Sequence, residues 1–141
     1  MLLTALAFAA ADADFSGTWK LNPERSEMHS PPQEPYETIK IEHKDKRLHC
    51  SSQNAERKPV EWNYTTDGKE TRGKIGDESY NSILKWEGSA LLINTLVNGR
   101  ARNHAQMDRW KLSRDGKTLT IRRQVETLHG EVESIFIYEK Q

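Results

Sequence analysis

The sequence predicts an all-β protein: an antiparallel up-and-down meander of about ten strands, closed into a barrel. Three observations predict it. Apolar and polar residues alternate with a period of two along most of the chain, as they do in half-buried strands. Turn signals such as Asp67-Gly68, Asn98-Gly99 and Asp115-Gly116 recur roughly every 8–15 residues. After residue 13, no stretch repeats apolar residues at the i, i+3, i+4, i+7 spacing of an amphipathic helix, so almost no helix is expected.

Residues 1–13 are predicted to be a secretory signal peptide. Residues 2–11 form an apolar run that is too short for a membrane-spanning helix, which needs about 20 residues. Ala11-Asp12-Ala13 then has the small-x-small form of a signal-peptidase site. No Lys or Arg precedes the run, and the alternative is a frayed apolar tail or a first strand. Cleavage near Ala13 would leave residues 14–141 as a single secreted or periplasmic domain, and N-terminal sequencing of the mature protein would test it.

The strands in the first half of the chain are predicted from faces that alternate. The first strand contains Gly17 and Trp19, and the prolines at 23, 31, 32 and 35 then make residues 22–36 a connection. The second strand alternates Ile39 and Ile41 with polar residues, and in the third Leu48 and Cys50 share a face. The predicted ranges are 15–21, 37–43, 47–53, 60–66 and 69–75.

The strands in the second half follow the same rule. Tyr80, Leu84 and Trp86 share one face of the sixth strand, and Leu119 and Ile121 share one face of the ninth. Asp-Gly and Asn-Gly between strands favour type I′ hairpin turns, in which both central residues have positive φ. The predicted ranges are 79–87, 90–97, 104–112, 117–127 and 131–139.

Closure into a barrel is expected because a flat meander would leave two exposed edges. A two-sheet sandwich is the alternative, but its crossovers need longer connections than this chain offers. Closure also suits the low hydrophobic content, 35% of 141 residues, and the mean hydropathy of −0.86. A barrel that encloses a cavity needs apolar side chains on one face of each strand only.

Charge and cysteine content exclude several classes of protein. With 21 basic and 21 acidic residues the formal charge is zero, which argues against binding nucleic acid or anionic membranes by bulk electrostatics. One cysteine excludes an intrachain disulfide framework and a cysteine-cluster metal site. We expect a monomer with no membrane span and no cofactor.

Short motifs resemble the calycins, the group of lipocalins and fatty-acid-binding proteins. The first strand has the Gly17-Thr18-Trp19 motif, and the resemblance implies that Trp19 plugs one end of the barrel. The string Gly17–Leu21 and the closing segment around Tyr138 are similar to the fatty-acid-binding branch. The whole chain is also similar to small exported bacterial lipocalin-like proteins with DFSGTWKL-type openings and YTTDGKE-like and DGKTLTI-like turns, whose function is not established. The resemblance therefore implies a lipocalin-like barrel and export rather than an activity.

Two positions depart from the fatty-acid-binding pattern. Those proteins insert two helices after the first strand, where this chain has the proline-rich residues 22–36. They also have an Arg two residues before the final Tyr, and the Arg–Tyr pair holds the ligand carboxylate. Here Tyr138 matches, but Phe136 occupies the Arg position. The usual carboxylate clamp is therefore not expected.

Arg123 is the main candidate binding residue. It shares a strand face with Leu119, Ile121 and Val125, so alternation points it into the barrel, where a guanidinium must be paired. It would anchor an anionic ligand group. The alternatives are an internal ion pair, stacking on Trp19, or a register slip that places Arg123 outside.

Aromatic residues on the apolar faces are the other candidate ligand-binding residues. They either line a pocket for an apolar ligand or simply fill the barrel. They are Trp62, Tyr64, Tyr80, Trp86 and Tyr138.

No catalytic residues and no metal ligands are predicted. His43 and His49 point to opposite faces and lack metal-ligand spacing, and Cys50 is expected to be a small buried side chain. No nucleophile elbow, phosphate loop or Ser-His-Asp spacing is present.

Three functions remain open. The first is a secreted lipocalin-like protein that binds a small, mainly apolar or amphipathic molecule in the barrel. The second is an interaction module with a filled barrel, which would meet a partner through its outer surface or residues 22–36. The third is an enzyme at the barrel mouth, which needs Arg123, His43 and a carboxylate to converge.

Overall fold

Ten antiparallel strands form a single sheet that curls into a nearly closed barrel. The computed structural model describes residues 13–29, 34–99 and 103–141. The strands are β1 (Gly17–Leu21), β2 (Thr38–Lys44), β3 (Arg47–Gln53), β4 (Pro59–Thr65), β5 (Thr71–Ile75), β6 (Glu78–Glu87), β7 (Ala90–Asn98), β8 (Asn103–Leu112), β9 (Thr118–Thr127) and β10 (Gly130–Lys140). Among the described residues there is no helix, so the all-β prediction is confirmed.

Sheet order follows chain order, except that the two ends of the chain meet. The order β4-β3-β2-β1-β10-β9-β8-β7-β6-β5 places β1 between β2 and β10. Trp19 lies opposite Ile39 on one side and Lys140 on the other. The sheet ends at β4 and β5, and closure of the barrel depends on what joins them. The predicted up-and-down meander is confirmed.

The predicted strand ranges agree with the structure to within two residues at every end. The connection after β1 contains no helix in its described parts, residues 22–29 and 34–37. Instead it packs on β10, because Glu27 bridges Ile135 and the backbone N–H of Ile137 donates to Ser26 Oγ at 2.9 Å. The signal-peptide prediction for residues 1–13 concerns residues that, apart from Ala13, lie outside the described chain, and it stays a prediction.

The prediction of type I′ turns at the Asp-Gly pairs is wrong, because Gly68 and Gly116 have positive φ, at 78° and 71°, but Asp67 and Asp115 before them do not. In the two-residue loops that begin at Asp45, Gly76 and Gly88, only the first residue has positive φ, at 53°, 61° and 60°. This is the pattern of type II′ turns, which also match the right-handed strand twist but require one positive φ rather than two. The second loop residues, Lys46, Asp77 and Ser89, can therefore be ordinary L-residues.

Aromatic side chains close one end of the barrel. Phe15 and Trp19 are fully buried, and the Trp19 indole N–H donates to the Phe15 carbonyl at 2.9 Å. The Phe15 ring stacks on Trp86 at a centroid distance of 6.0 Å and meets Trp110 edge-on at 5.8 Å. The segment before β1 is thus folded under the barrel, and the plug role of Trp19 stays a prediction.

A tyrosine spans the gap between β4 and β5. Tyr80 on β6 lies directly opposite Gly73 on β5, and its ring crosses that glycine. Its hydroxyl accepts a hydrogen bond from the backbone N–H of Asn63 on β4 at 3.1 Å. Thr65 and Thr71 approach to 3.2 Å between their hydroxyl oxygens at the same gap. Side chains rather than a backbone ladder therefore complete the barrel wall.

Replacing Gly73 by alanine is expected to open this closure. A methyl group at position 73 would overlap the Tyr80 phenol, and overpacking of this kind typically lowers the free energy of unfolding by about 1–3 kcal/mol. Urea unfolding followed by circular dichroism measures the change. In a Tyr80→Ala background the same substitution should cost almost nothing. An equal cost in both backgrounds would contradict the role given to Gly73.

Candidate functional site

A cavity of about 120 Å³ lies inside the barrel, at the end opposite Phe15. Its walls come from the start of β2, the end of β5, the start of β6 and the end of β7, together with inward side chains of β4, β8, β9 and β10. Residues Pro35 and Tyr36 from the connection before β2 reach over it. The barrel interior is therefore not completely filled, and its empty part lies at one end.

A buried ion pair forms the polar part of the cavity wall. Arg123 on β9 and Asp108 on β8 lie directly opposite each other. The guanidinium Nε and Nη2 donate to the two carboxylate oxygens at 2.8 and 2.9 Å, which is bidentate geometry. The Trp110 indole N–H also donates to Asp108 at 3.4 Å. Only 2% of the Asp108 side chain is exposed, so its charge depends on these donors.

Arg123 keeps part of its guanidinium open to the cavity. Its side chain is 21% exposed, and the Phe136 ring packs on the guanidinium at 5.4 Å from the centroid. The remaining nitrogen, Nη1, has no hydrogen-bond partner among the described residues. Burial disfavours the charged form, but the adjacent Asp108 carboxylate outweighs this and raises the pKa of Arg123. The guanidinium is therefore permanently charged, and Asp108 balances that charge.

Two stacked aromatic rings form the wall nearest the mouth. The Tyr36 and Trp62 rings stack at 5.1 Å between centroids with an interplanar angle of 23°. The Tyr138 hydroxyl donates to the Tyr36 carbonyl at 2.7 Å and so ties the connection to the barrel. Tyr36 is half-buried and belongs to a loop. It is placed to cover the cavity.

The tyrosines of the cavity are hydrogen-bond donors rather than bases. Burial raises the pKa of Tyr36, Tyr64 and Tyr138, since each phenolate would be poorly solvated. The Arg123 charge opposes this in all three and does not reverse it. At neutral pH these groups remain protonated, so they can hold a polar group but are not suited to removing a proton from one.

Comparison with solved structures shows similar barrels. One is the zebrafish ileal bile acid-binding protein complexed with cholic acid, with a TM-score of 0.66, 14% sequence identity, and 90% of this chain and 98% of that chain covered. Another is a secretory abundant heat soluble protein from Ramazzottius varieornatus, with a TM-score of 0.64, 16% identity, and 89% and 94% covered. Secretory abundant heat soluble protein 4 from the same organism has a TM-score of 0.60, 13% identity, and 90% and 94% covered.

The barrel has the calycin fold. The lipocalin-like architecture predicted from Gly17-Thr18-Trp19 and from the meander is thereby confirmed. At identities of 13–16% the likeness concerns the fold alone. No family model and no curated protein sequence matches this chain.

The structure brings most of the sequence-predicted residues together in the calycin barrel. Arg123 points inward, as alternation predicted, and the residues that line the cavity include Arg123, Tyr138, Trp62, Tyr64 and Tyr80. Trp86 also points inward but lies at the closed end with Phe15. Two hydroxyls have structural partners, because Tyr138 donates to Tyr36 and Tyr80 accepts from Asn63.

Asp108 is the important residue that the sequence interpretation missed. Arg123 forms an internal ion pair, one of the alternatives left open for it, while still lining the cavity. The signal was present, because Asp108 alternates with Trp110 and Leu112 on β8. The hairpin that pairs Leu112 with Leu119 also sets Asp108 opposite Arg123. Tyr36 was missed because it lies in a connection, where period-two alternation gives no prediction.

The histidines and the cysteine lie away from the cavity. His43 accepts a hydrogen bond from the Phe15 backbone N–H at 3.2 Å and stacks near Trp86, at the closed end of the barrel. His43 and Arg123 therefore do not converge. Cys50 is buried, and burial raises the pKa of its thiol. Among the described residues no group of three His, Cys, Asp or Glu side chains is arranged to hold a metal ion, and no helix could span a bilayer.

The outer face of the barrel has an exposed apolar patch. Ile83, Leu96 and Met107, on β6, β7 and β8, are 48%, 46% and 41% exposed and line a shallow groove of about 450 Å³. Glu126 and Glu131 lie at its rim, directly opposite each other across β9 and β10. Like charges in this position are destabilising unless a cation lies between them.

Proposed function

We propose that this calycin barrel binds a small, mainly apolar molecule non-covalently in the cavity next to Arg123. The observation that supports the proposal most directly is an internal space with aromatic walls and a few polar groups, among them Arg123, which is how small-molecule sites are generally built. The proposed lining comprises Arg123, Trp62, Tyr64, Tyr80 and Tyr138 from the sequence prediction, with Tyr36 added.

The size of the cavity limits the ligand. Drug-sized ligands occupy sites of about 300–1,000 Å³, whereas this cavity measures about 120 Å³. That volume corresponds to about four water molecules at about 30 Å³ each, and a cavity of about 150 Å³ can hold benzene. We therefore expect a ligand of about one aromatic ring, with any substituent extending toward Tyr36 and the mouth. A molecule as large as cholic acid, which the zebrafish relative in fold binds, would not fit without movement of Tyr36 and the walls.

A matched pair of variants tests the site. Val97 lines the cavity, whereas its neighbour Leu96 faces outward. Val97→Phe fills the space, so α-methylstyrene, a small planar hydrocarbon, should bind at least about tenfold more weakly than to the unmodified chain. Leu96→Phe should leave its affinity unchanged. Titration of the ¹⁵N-labelled full chain, followed by amide chemical shifts, measures both.

The outcome that contradicts the proposal is equally specific. If α-methylstyrene binds to Val97→Phe as it does to the unmodified chain, the ligand is not in the cavity. If its affinity falls in Leu96→Phe instead, the outer face is the binding site.

An interaction module is the second candidate, favoured by the outer patch around Leu96 rather than by the cavity. A partner there would present apolar groups flanked by a cation, because the rim carries Glu126 and Glu131. Leu96→Phe and Val97→Phe separate the two candidates, since each alters one surface only.

A further inference from the structure

We propose that the cavity selects uncharged planar molecules with a hydrogen-bond acceptor, such as a carbonyl oxygen, and rejects the carboxylates of the same shape. This inference rests on the proposed function and names the ligand class for the same site. It replaces the anionic ligand expected for Arg123 from the sequence with a neutral one.

The first reason is that the positive charge of Arg123 is already balanced. Asp108 takes two of its N–H groups at 2.8 and 2.9 Å, and this carboxylate is 2% exposed. A ligand anion at Arg123 would lie close to the Asp108 anion in a site shielded from solvent. It would give up its own hydration without meeting a net positive charge.

The second reason is that hydrogen-bond donors face the cavity next to this pair. Nη1 of Arg123 has no partner among the described residues, and neither has the Tyr64 hydroxyl. Burial raises the pKa of Tyr64, so its hydroxyl keeps its proton. A neutral acceptor oxygen can take these donors without adding charge, and a hydrogen bond from a charged donor is the stronger kind.

The third reason is the shape of the apolar wall. The stacked Tyr36 and Trp62 rings, with Trp110 and Phe136, surround a cavity of about 120 Å³, which is close to the size of the cavities that hold one aromatic ring. A single aromatic ring matches these flat surfaces, and a short planar substituent on it would extend toward Tyr36 and the mouth.

Three compounds of nearly identical shape test the inference on the unmodified full chain. Acetophenone has a neutral acceptor oxygen, α-methylstyrene has a methylene group in its place, and benzoate has a carboxylate. Isothermal titration calorimetry at neutral pH should give acetophenone an affinity at least about tenfold higher than that of either other compound.

The possible results separate this inference from the proposed function. If benzoate binds best, Arg123 is an anion anchor and the inference is overturned, while a ligand-binding barrel stands. If α-methylstyrene equals acetophenone, the donors play no part, and the inference is again overturned. If none of the three binds saturably, the proposed function itself fails.

Two variants add a test of the donors. Tyr64→Phe removes one hydroxyl, so it should weaken acetophenone several-fold and leave α-methylstyrene unchanged. Asp108→Asn leaves the Arg123 charge uncompensated, so in folded protein the preference should move toward benzoate. Equal weakening of both neutral compounds by Tyr64→Phe would indicate a packing role and contradict the assignment.

Discussion

Asp108→Ala is expected to lower the free energy of unfolding by about 3–5 kcal/mol. The substitution removes a carboxylate that holds Arg123 through two short hydrogen bonds and leaves the guanidinium buried without a counter-charge. It also removes the acceptor of the Trp110 indole N–H. The free energy of unfolding of a native domain is typically about 5–15 kcal/mol, so the loss would be a large fraction of the total. Urea unfolding followed by far-ultraviolet circular dichroism measures it.

A second ion pair, which joins β9 to β10, is the matched control. Arg122 directly precedes Arg123 on β9 and points outward, where its Nε lies 3.4 Å from a Glu133 carboxylate oxygen. Both side chains are about half exposed, at 57% and 48%. Glu133→Ala should therefore cost no more than about 1 kcal/mol, because solvent screens the pair. Equal losses in Asp108→Ala and Glu133→Ala would show that burial of the inner pair has no energetic importance.

The double variant Asp108→Leu with Arg123→Met separates charge from packing. Replacing both partners by apolar groups of similar size leaves no buried charge, and such replacements are often neutral or stabilising. The double variant should regain most of the stability that Asp108→Ala loses. It should also lose the preference for acetophenone over α-methylstyrene, so the pair would serve selectivity at some cost in stability.

Alternation predicted the strands because one face of each faces the barrel interior. The inward set Leu119, Ile121, Arg123 and Val125 keeps its period through a charged residue, and the structure shows all four on the same face. Because Arg123 belongs to that apolar set, its position inside the barrel could be predicted from the sequence alone. Its partner required hairpin register as well, which the turn around Asp115 and Gly116 determines.

Other features could not be predicted from alternation. The position of Tyr36 in the cavity wall depends on how residues 34–37 approach β2, and no periodic pattern specifies that approach. The gap between β4 and β5 could not be predicted either. Both strands alternate like the others, and the sequence does not show that they are not paired with each other. Tyr80 and Gly73 lie on neighbouring strands, and only the register shows that they are directly opposite each other. The Tyr80 ring fits there because glycine has no side chain.

Trp19→Ala is expected to lower the free energy of unfolding by about 3–5 kcal/mol, as for other fully buried large aromatic residues. Trp19 is 0% exposed, and its indole N–H is the donor that holds the Phe15 carbonyl at 2.9 Å. Lys140 packs over its ring at 5.8 Å from the centroid. The substitution therefore removes the side chain and also releases the segment under the barrel. Thermal unfolding followed by circular dichroism measures the loss without depending on tryptophan fluorescence.

Trp86→Ala is the control for the Trp19 result, because Trp86 stacks on the same Phe15 ring but is only partly buried. It should cost clearly less than Trp19→Ala, since less area leaves water when it folds. Both residues lie at the closed end, so neither variant should change ligand affinity in protein that remains folded. A Trp19→Ala protein as stable as the Trp86→Ala protein would contradict the plug. A selective loss of α-methylstyrene binding in Trp86→Ala would instead extend the binding site to the closed end, against the position of the cavity next to Arg123.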